Sequence, residues 1–287
     1  MTVLITGATG AIGRPLVEKL AVRGVRVRAA ARTIQSRDFP ASVRYVNVDL
    51  LEPAALIPAL EGVETLFLHP RAVAANPAEL VSLAAAHGVR RLAVLSALDV
   101  DEDAGLQPSR FNGDRYREIE EAVTNSGLSW TCIRASSYAT LMLELFAAQI
   151  RLGDVVRGPY PTFAEAPVHE KDLVDVIARV LLDSDLDGSR IELTGPQSLS
   201  HREMVDIVGK VIGRPLQFVE IPPRTAADQL IANGVRSEFA TALMARCERG
   251  GNQPATVTDE VQKLLGCPAR TFARWVADHG AAFRLRA

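Results

Sequence analysis

The sequence predicts an α/β fold: a doubly wound parallel sheet with a smaller, mainly helical C-terminal lobe. In the first half of the 287-residue chain, short β-branched runs alternate with segments whose apolar residues recur at helical spacing. Beyond Arg134 this alternation loosens, and from Arg224 onward the pattern is almost wholly helical. With 48% hydrophobic and 23% charged residues, the composition is that of an ordinary globular protein.

The elements of the first half follow in order along the chain. The predicted strands are Val3–Thr6, Val25–Ala30, Val43–Val48, Thr65–Leu68, Leu92–Ser96 and Trp130–Arg134. The predicted helices between them are Pro15–Val22, Pro53–Leu60, Ala78–His87 and Tyr116–Asn125. Strands and helices in strict alternation form βαβ units, whose parallel sheet is covered on both faces.

The second half predicts fewer and less regular elements. Helices are expected over Ser137–Ile150, Lys171–Leu182 and His201–Ile212, and strands over Asp154–Arg157, Arg190–Leu193 and Leu216–Glu220. We expect a core over residues 1–150, to which residues 166–195 return, and a smaller substrate-binding lobe over residues 151–287, interleaved with that core.

Charge and cysteine content exclude several classes of protein. The net charge is −2, from 32 basic and 34 acidic residues without a basic stripe, which argues against a nucleic-acid partner. The three cysteines have neither the spacing of a zinc site nor that of a disulfide framework, so no metal is expected. No apolar run has the length of a membrane span, and the N-terminus enters a strand directly, so we expect a cytoplasmic protein without a membrane partner.

A glycine-rich turn follows the first predicted strand and opens the first helix. Its sequence is Gly7-Ala8-Thr9-Gly10-Ala11-Ile12-Gly13. In such turns the glycines permit a tight bend, a close approach to a pyrophosphate and close packing of the helix on the strand. The free N–H groups at the helix terminus favour a phosphate. We therefore assign cofactor contacts to Gly7, Thr9, Gly10, Ala11, Ile12 and Gly13.

The end of the second strand indicates which dinucleotide is bound. Folds that bind NAD place an acidic residue there, whereas this chain has Arg32, whose planar guanidinium suits a 2′-phosphate. A surface arginine without a ligand is the alternative. Asp49 and Leu50, after the third strand, are candidates for the adenine contact, although Asp49 is equally suited to cap a helix. The predicted cofactor is NADP(H).

Four segments carry a resemblance to a known family: Thr6–Gly13 (TGATGAIG), Ser126–Arg134 (SGLSWTCIR), His169–Leu173 (HEKDL) and Leu193–Pro196 (LTGP). Together they resemble the NmrA-like, NAD(P)-binding branch of the atypical short-chain dehydrogenases/reductases. Ala135 departs from the proline usual in that family. The resemblance runs over nearly the whole chain and implies a Rossmann fold.

The resemblance also implies a nicotinamide site at the ends of the fourth to sixth strands, lined by His69, Ser96 and Ser136. The alternative for His69, equally weighted, is a helix-capping or solvated histidine. Ser96 occupies the position of a catalytic serine in related reductases, or else only bonds to the main chain. Typical members of the superfamily carry Tyr-x-x-x-Lys, but here Asn112 and Tyr116 stand at those two positions. Tyr116 is left with three alternative roles: proton donor, ribose clamp or structural residue.

The resemblance implies an NADPH-dependent reductase that transfers a hydride to a small aromatic or carbonyl acceptor, such as a quinone, a ketone or a conjugated system. The alternative is a non-catalytic NAD(P)-sensing regulatory protein. The catalytic candidates are Ser96 and Tyr116, and the protein is expected to be a monomer or homodimer. We expect the acceptor pocket between the carboxyl edge of the sheet and the C-terminal lobe, lined by Tyr138, Met142, Tyr160, Phe163 and His169.

Overall fold

The computed structural model describes residues 1–35, 37–49, 52–72 and 77–284. The chain divides into two compact units. The first, which we call the sheet unit, consists of Met1–Asp101, Gly113–Ala135 and Leu173–Glu192. The second unit consists of Glu102–Asn112, Ser136–Asp172 and Leu193–Ala287.

Among the residues that the structure describes, seven strands form one parallel sheet, which confirms the predicted fold class. The strands in chain order are β1 (Thr2–Thr6), β2 (Arg26–Ala31), β3 (Arg44–Asn47), β4 (Thr65–Leu68), β5 (Arg91–Ala97), β6 (Ser129–Ala135), β7 (Val155–Gly158), β8 (Ala164–Glu165), β9 (Ser189–Leu193), β10 (Leu199–Ser200) and β11 (Gln217–Glu220). The sheet order is β3-β2-β1-β4-β5-β6-β9. The chain reverses its direction of winding between β1 and β4, the place where open α/β sheets bind ligands.

In the described part of the chain, twelve α-helices accompany the strands. They are α1 (Gly13–Val22), α2 (Ile57–Leu60), α3 (Pro77–Ala86), α4 (Tyr116–Thr124), α5 (Leu141–Leu145), α6 (Ala147–Leu152), α7 (Glu170–Leu182), α8 (His201–Val211), α9 (Pro223–Ala232), α10 (Ser237–Gly250), α11 (Glu260–Leu265) and α12 (Phe272–Asp278). Short 3₁₀ turns precede α2 and α4 and follow α12. Within the described ranges, no helix is long and apolar enough to cross a membrane.

The core of the sheet unit explains why its strands read as continuous apolar runs. All four residues of β4 are buried, as are five of the seven residues of β5. Helices α3 and α4 contribute Leu80, Val81, Ile119 and Val123 to the same cluster, in which Leu66 is fully buried. A strand covered on both faces has no solvent side, so its sequence does not alternate.

The single helix predicted over Ser137–Ile150 is wrong at its start and in its middle. The segment before α5 pairs with Val168 instead: Val168 N–H donates to the Ser137 carbonyl at 2.8 Å, and Ala139 N–H donates to the Val168 carbonyl at 2.9 Å. The helix is then interrupted at Phe146, which has φ −129° and lies between α5 and α6. The Phe146 ring packs edge-on against His201 and Phe218. Tertiary pairing and packing therefore override the helical pattern.

Two small sheets in the second unit bring together segments distant in sequence. Strands β7 and β11 pair in parallel, whereas β8 and β10 form a two-residue antiparallel pair that the sequence analysis did not predict. Two residues are too few to show a period-two pattern. Ser200 then begins α8 through a capping box with Glu203.

Candidate dinucleotide site

The glycine turn lies at the carboxyl end of β1 and has the geometry that its glycines require. Gly7 has φ +63°, a left-handed conformation, and its carbonyl accepts the Gly10 N–H at 3.0 Å. A Cβ on Gly13 would overlap the Gly7 carbonyl oxygen and stand 2.8 Å from the Ala8 Cα. The turn is fixed to β2 by the bond from Ala8 N–H to the Ala30 carbonyl at 3.1 Å.

The outer face of this turn is suited to an anionic ligand. Thr9, Gly10 and Ala11 are exposed, and the N–H groups of Thr9, Ala11 and Ile12 donate to no atom of the described chain. Free amides at the start of a ten-residue helix attract phosphate oxygens. The residues present therefore fit the pyrophosphate of a dinucleotide, and every residue predicted for the turn lies in it.

Arg32 follows β2 at the same edge of the sheet. Its side chain is exposed and forms no hydrogen bond or ion pair with the described residues, so it is available for a ligand. The loop that Arg32 enters is braced from β3, because the Asn47 side chain accepts from Ile34 N–H at 2.6 Å and donates to the Ile34 carbonyl at 3.3 Å.

The predicted adenine contacts fall next to this loop. Asp49 is exposed, and it does not cap a helix, because the 3₁₀ turn before α2 begins at Pro53 with Glu52 in the cap position. Leu50 lies outside the described residues.

His69 lies directly against the glycine turn. A Cβ built on Gly7 would be 3.2 Å from the His69 Cβ, so the turn and the imidazole are in close contact. Burial lowers the pKa of His69 to about 4, which leaves the imidazole uncharged at neutral pH. The loop after His69 is tied to the approach to α4 by Arg71, whose guanidinium binds both oxygens of the buried Asp114 carboxylate at 2.9 and 3.3 Å.

The two catalytic candidates both belong to the sheet unit. Ser96, near the end of β5, is fully buried, and its hydroxyl has no hydrogen-bond partner within the described chain. Tyr116 is the first residue of α4 and is 8% exposed. Asn112 is an exposed residue at the end of a 3₁₀ turn, and it carries no acid function.

The remaining predicted residues lie in the second unit. The Ser136 hydroxyl donates to the Ala166 carbonyl, and Tyr138 forms a β-bridge with Val168. Met142 is 4% exposed within an apolar cluster that includes Phe146 and several residues of α8 and α12. Their roles toward cofactor and acceptor stay predictions.

Tyr160, Phe163 and His169 occupy two different surroundings in that unit. Phe163 packs with Leu243 and Cys247 of α10, and Tyr160 borders the same cluster with φ +49°. His169 is 1% exposed and belongs to a polar network, with its Nε2 3.5 Å from an Asp278 carboxylate oxygen. In the described ranges, no group of three or more His, Cys, Asp or Glu side chains is arranged to hold a metal ion.

The sequence as a whole matches the NmrA-like family over residues 1–274. The chain belongs to the NmrA-like family. It is 35% identical to a (4-alkanoyl-5-oxo-2,5-dihydrofuran-3-yl)methyl phosphate reductase of Streptomyces griseus, over 98% of this chain and 99% of that protein. It is 28% identical to an NAD(P)H azoreductase of Xenophilus azovorans, over 98% and 99% of the two chains.

Among solved structures, this NmrA-like protein resembles an NADPH-dependent quinone oxidoreductase of Escherichia coli that was crystallised with NADPH. The TM-score is 0.81 at 23% identity, over 98% of this chain and 100% of the other. This likeness establishes the Rossmann-type fold. The predicted family is confirmed by the match over residues 1–274, and the predicted oxidoreductase class is confirmed by the two relatives named above, both of which are reductases.

The sequence analysis missed the residues that support the site from behind. Thr6 and Asn47 enter the sequence analysis only as members of predicted strands or of the glycine motif, and Arg71 and Asp114 belong to no predicted site. Their bonds join positions up to 63 residues apart, so no local pattern marks them. The one available signal was a polar threonine directly after the apolar run Val3–Ile5 of β1.

Proposed function

We propose that this NmrA-like protein is an NADPH-dependent reductase that transfers a hydride to a small quinone, ketone or conjugated carbonyl acceptor. The observation that carries the proposal is the glycine turn, where the packing of Gly13 against the Gly7 carbonyl leaves no room for a Cβ and three main-chain N–H groups have no acceptor within the described chain. Such a cradle suits a pyrophosphate, and the Streptomyces and Xenophilus relatives, which match almost the whole of this chain, are both reductases.

Arg32 supports NADPH over NADH. Its guanidinium has no partner within the described chain, and no acidic residue stands at the end of β2 to bind a ribose 2′-hydroxyl. A planar guanidinium binds a phosphate through two parallel hydrogen bonds.

The cofactor, when bound, supplies the hydride, and the protein must orient and polarise the acceptor. The buried Ser96 hydroxyl is a donor for an acceptor oxygen, because it has no competing partner within the described residues. Tyr116, buried at the start of α4, holds the nicotinamide ribose, and water completes the protonation.

The absence of Tyr-x-x-x-Lys favours a conjugated acceptor. Hydride addition to a quinone or an unsaturated carbonyl spreads the new negative charge over several atoms, so water can deliver the proton, whereas a simple ketone depends more on a placed acid. The Streptomyces relative is named for a 5-oxo-2,5-dihydrofuran, in which a carbonyl is conjugated with a ring double bond.

The test measures loss of NADPH absorbance with a panel of quinones, unsaturated lactones and simple ketones, together with calorimetric binding of NADPH. We expect turnover with the conjugated acceptors and the loss of NADPH binding in Gly13→Ala. The matched control is Gly105→Ala, where a Cβ meets no atom within 4 Å. Binding of NADPH without turnover of any acceptor would favour the regulatory alternative, and an unchanged affinity in Gly13→Ala would contradict the assigned cofactor site.

A further inference from the structure

Three contacts hold His69 in the sheet unit, one through its main chain and two through its side chain. Its main-chain N–H donates to the Thr6 hydroxyl at 2.8 Å. Its Cβ and Cγ pack against Gly7 so closely that they would be 3.2 and 3.3 Å from a Cβ built on that residue. The third constraint is a hydrogen bond from Arg71 N–H to the ring Nδ1 at 3.3 Å.

That third bond determines where the ring proton lies. Nδ1 accepts the Arg71 N–H, so it carries no proton, and in a neutral imidazole the proton then resides on Nε2. Within the described chain, Nε2 makes no hydrogen bond. The ring therefore offers one unused N–H beside the turn that binds the dinucleotide.

We propose that His69 is a neutral Nε2–H donor to an oxygen of the bound dinucleotide, with its tautomer fixed by the Arg71 main chain. This inference rests on the proposed function. Unlike the charged guanidinium of Arg32, a neutral N–H donor orients the bound dinucleotide without adding positive charge to the site.

Burial keeps the imidazole of His69 uncharged. Burial lowers the pKa of His69 to about 4, the Arg71 guanidinium acts in the same direction, and the Asp114 carboxylate opposes them. Arg71 and Asp114 bind each other and act on the pKa of the imidazole in opposite directions, and burial is the main cause of its lowered pKa.

Two substitutions separate the two ring nitrogens. The amide nitrogen of glutamine can occupy the place of Nε2, whereas the shorter asparagine reaches only the place of Nδ1. We expect His69→Asn to weaken NADPH binding about tenfold, because the loss of one hydrogen bond to a charged oxygen has an effect of about this size. The NADPH affinity of His69→Gln should stay within about threefold of the wild-type affinity, because the glutamine keeps the donor. His87→Asn, at an exposed histidine near the end of α3, is the control and should bind as the wild type.

A second measurement does not depend on catalysis or binding. Nitrogen-15 NMR of the free protein should show one histidine, absent from the His69→Gln spectrum, with a protonated Nε2 and an unprotonated Nδ1 that do not titrate between about pH 5.5 and 8. A protonated Nδ1, a titration near the ordinary pKa, or equal NADPH affinities of the Gln and Asn variants would overturn the proposal. A wild-type protein that binds no NADPH, with the tautomer as expected, would instead overturn the proposed function.

Discussion

The Thr6 hydroxyl accepts the His69 main-chain N–H at 2.8 Å and donates to the Phe67 carbonyl at 2.9 Å. Thr6 is fully buried and immediately precedes the glycine turn at the end of β1. One side chain therefore determines where the chain leaves β4 relative to where it leaves β1. Because the two strands are neighbours in the sheet, this bond sets the spacing between the turn and His69.

Thr6→Val tests this relationship. Valine preserves the shape but leaves the His69 N–H without its acceptor, so we expect a loss of about 1–3 kcal/mol in the free energy of unfolding and weaker NADPH binding. Urea unfolding and calorimetry measure the two effects. Thr6→Ser is the matched control: it keeps the hydroxyl, loses one methyl group and should retain NADPH affinity. Equal affinities of the valine and serine variants would show that the hydroxyl does not position the site.

Arg32→Ala should remove most of the preference for NADPH over NADH. A charge-assisted bond contributes about 1.5–3 kcal/mol, so NADPH affinity should fall roughly ten- to a hundredfold while NADH binding changes little. Folding stability should not change, because Arg32 has no partner in the described chain. Arg26→Ala, an exposed arginine at the start of the same strand, is the control. A wild-type protein with equal affinity for both cofactors in calorimetric titration would disprove the preference.

The parts of the fold that were predictable are those determined by local pattern. Strand β4 was predicted with its observed bounds, because four buried apolar or β-branched residues are followed by a histidine and a proline. The segment after β6 was mispredicted because Val168 accepts the Ala139 N–H and donates to the Ser137 carbonyl, and pairing partners 29 and 31 positions away leave no periodic signal. The short strand β8 was not predicted for the same reason, because its pairing partner is distant in the sequence.

In the candidate site, too, the residues set by local pattern were predictable and those set by distant contacts were not. The glycine turn and Arg32 are contiguous with recognisable elements, so the sequence alone places them at one edge of the sheet. The environment of His69 depends on Thr6, which lies 63 positions before it in the sequence. It also depends on the pair of Arg71 and Asp114, which are 43 positions apart. Neither the tautomer nor the neutral state of the ring follows from a motif.

Ser96→Ala should separate function from stability. The buried hydroxyl lacks a partner within the described chain, so its removal should leave the free energy of unfolding unchanged or raise it by up to about 1 kcal/mol. If the hydroxyl polarises the acceptor, turnover at saturating NADPH should nevertheless fall about a hundredfold. Ser82→Ala, at an exposed position on α3, controls for loss of a serine. Wild-type turnover in Ser96→Ala would refute the catalytic role.

The pKa of His69, lowered by burial to about 4, predicts a pH dependence of stability. Between its ordinary value of 6.5 and about 4, the unfolded chain binds a proton that the folded protein excludes, so stability falls as pH falls through this range. The slope approaches about 1.4 kcal/mol per pH unit, and the effect vanishes above about pH 7. Urea unfolding of the wild type and of His69→Gln at several pH values measures it. Parallel curves for the two proteins would mean that the folded histidine titrates normally.

Tyr116→Phe distinguishes the three roles that the sequence leaves to this residue. The side chain is buried at the start of α4, where a ring fills the same space with or without its hydroxyl, so the variant should fold. Loss of a placed general acid typically lowers turnover 10²–10⁴-fold, whereas loss of a ribose contact mainly weakens cofactor binding. We expect the second outcome: a raised NADPH dissociation constant, with turnover at saturating NADPH nearly intact. Tyr45→Phe, at a 45%-exposed tyrosine on β3, should change neither quantity. A large fall in turnover at saturation would instead make Tyr116 the proton donor, and wild-type values of both quantities would make it structural and remove it from the site.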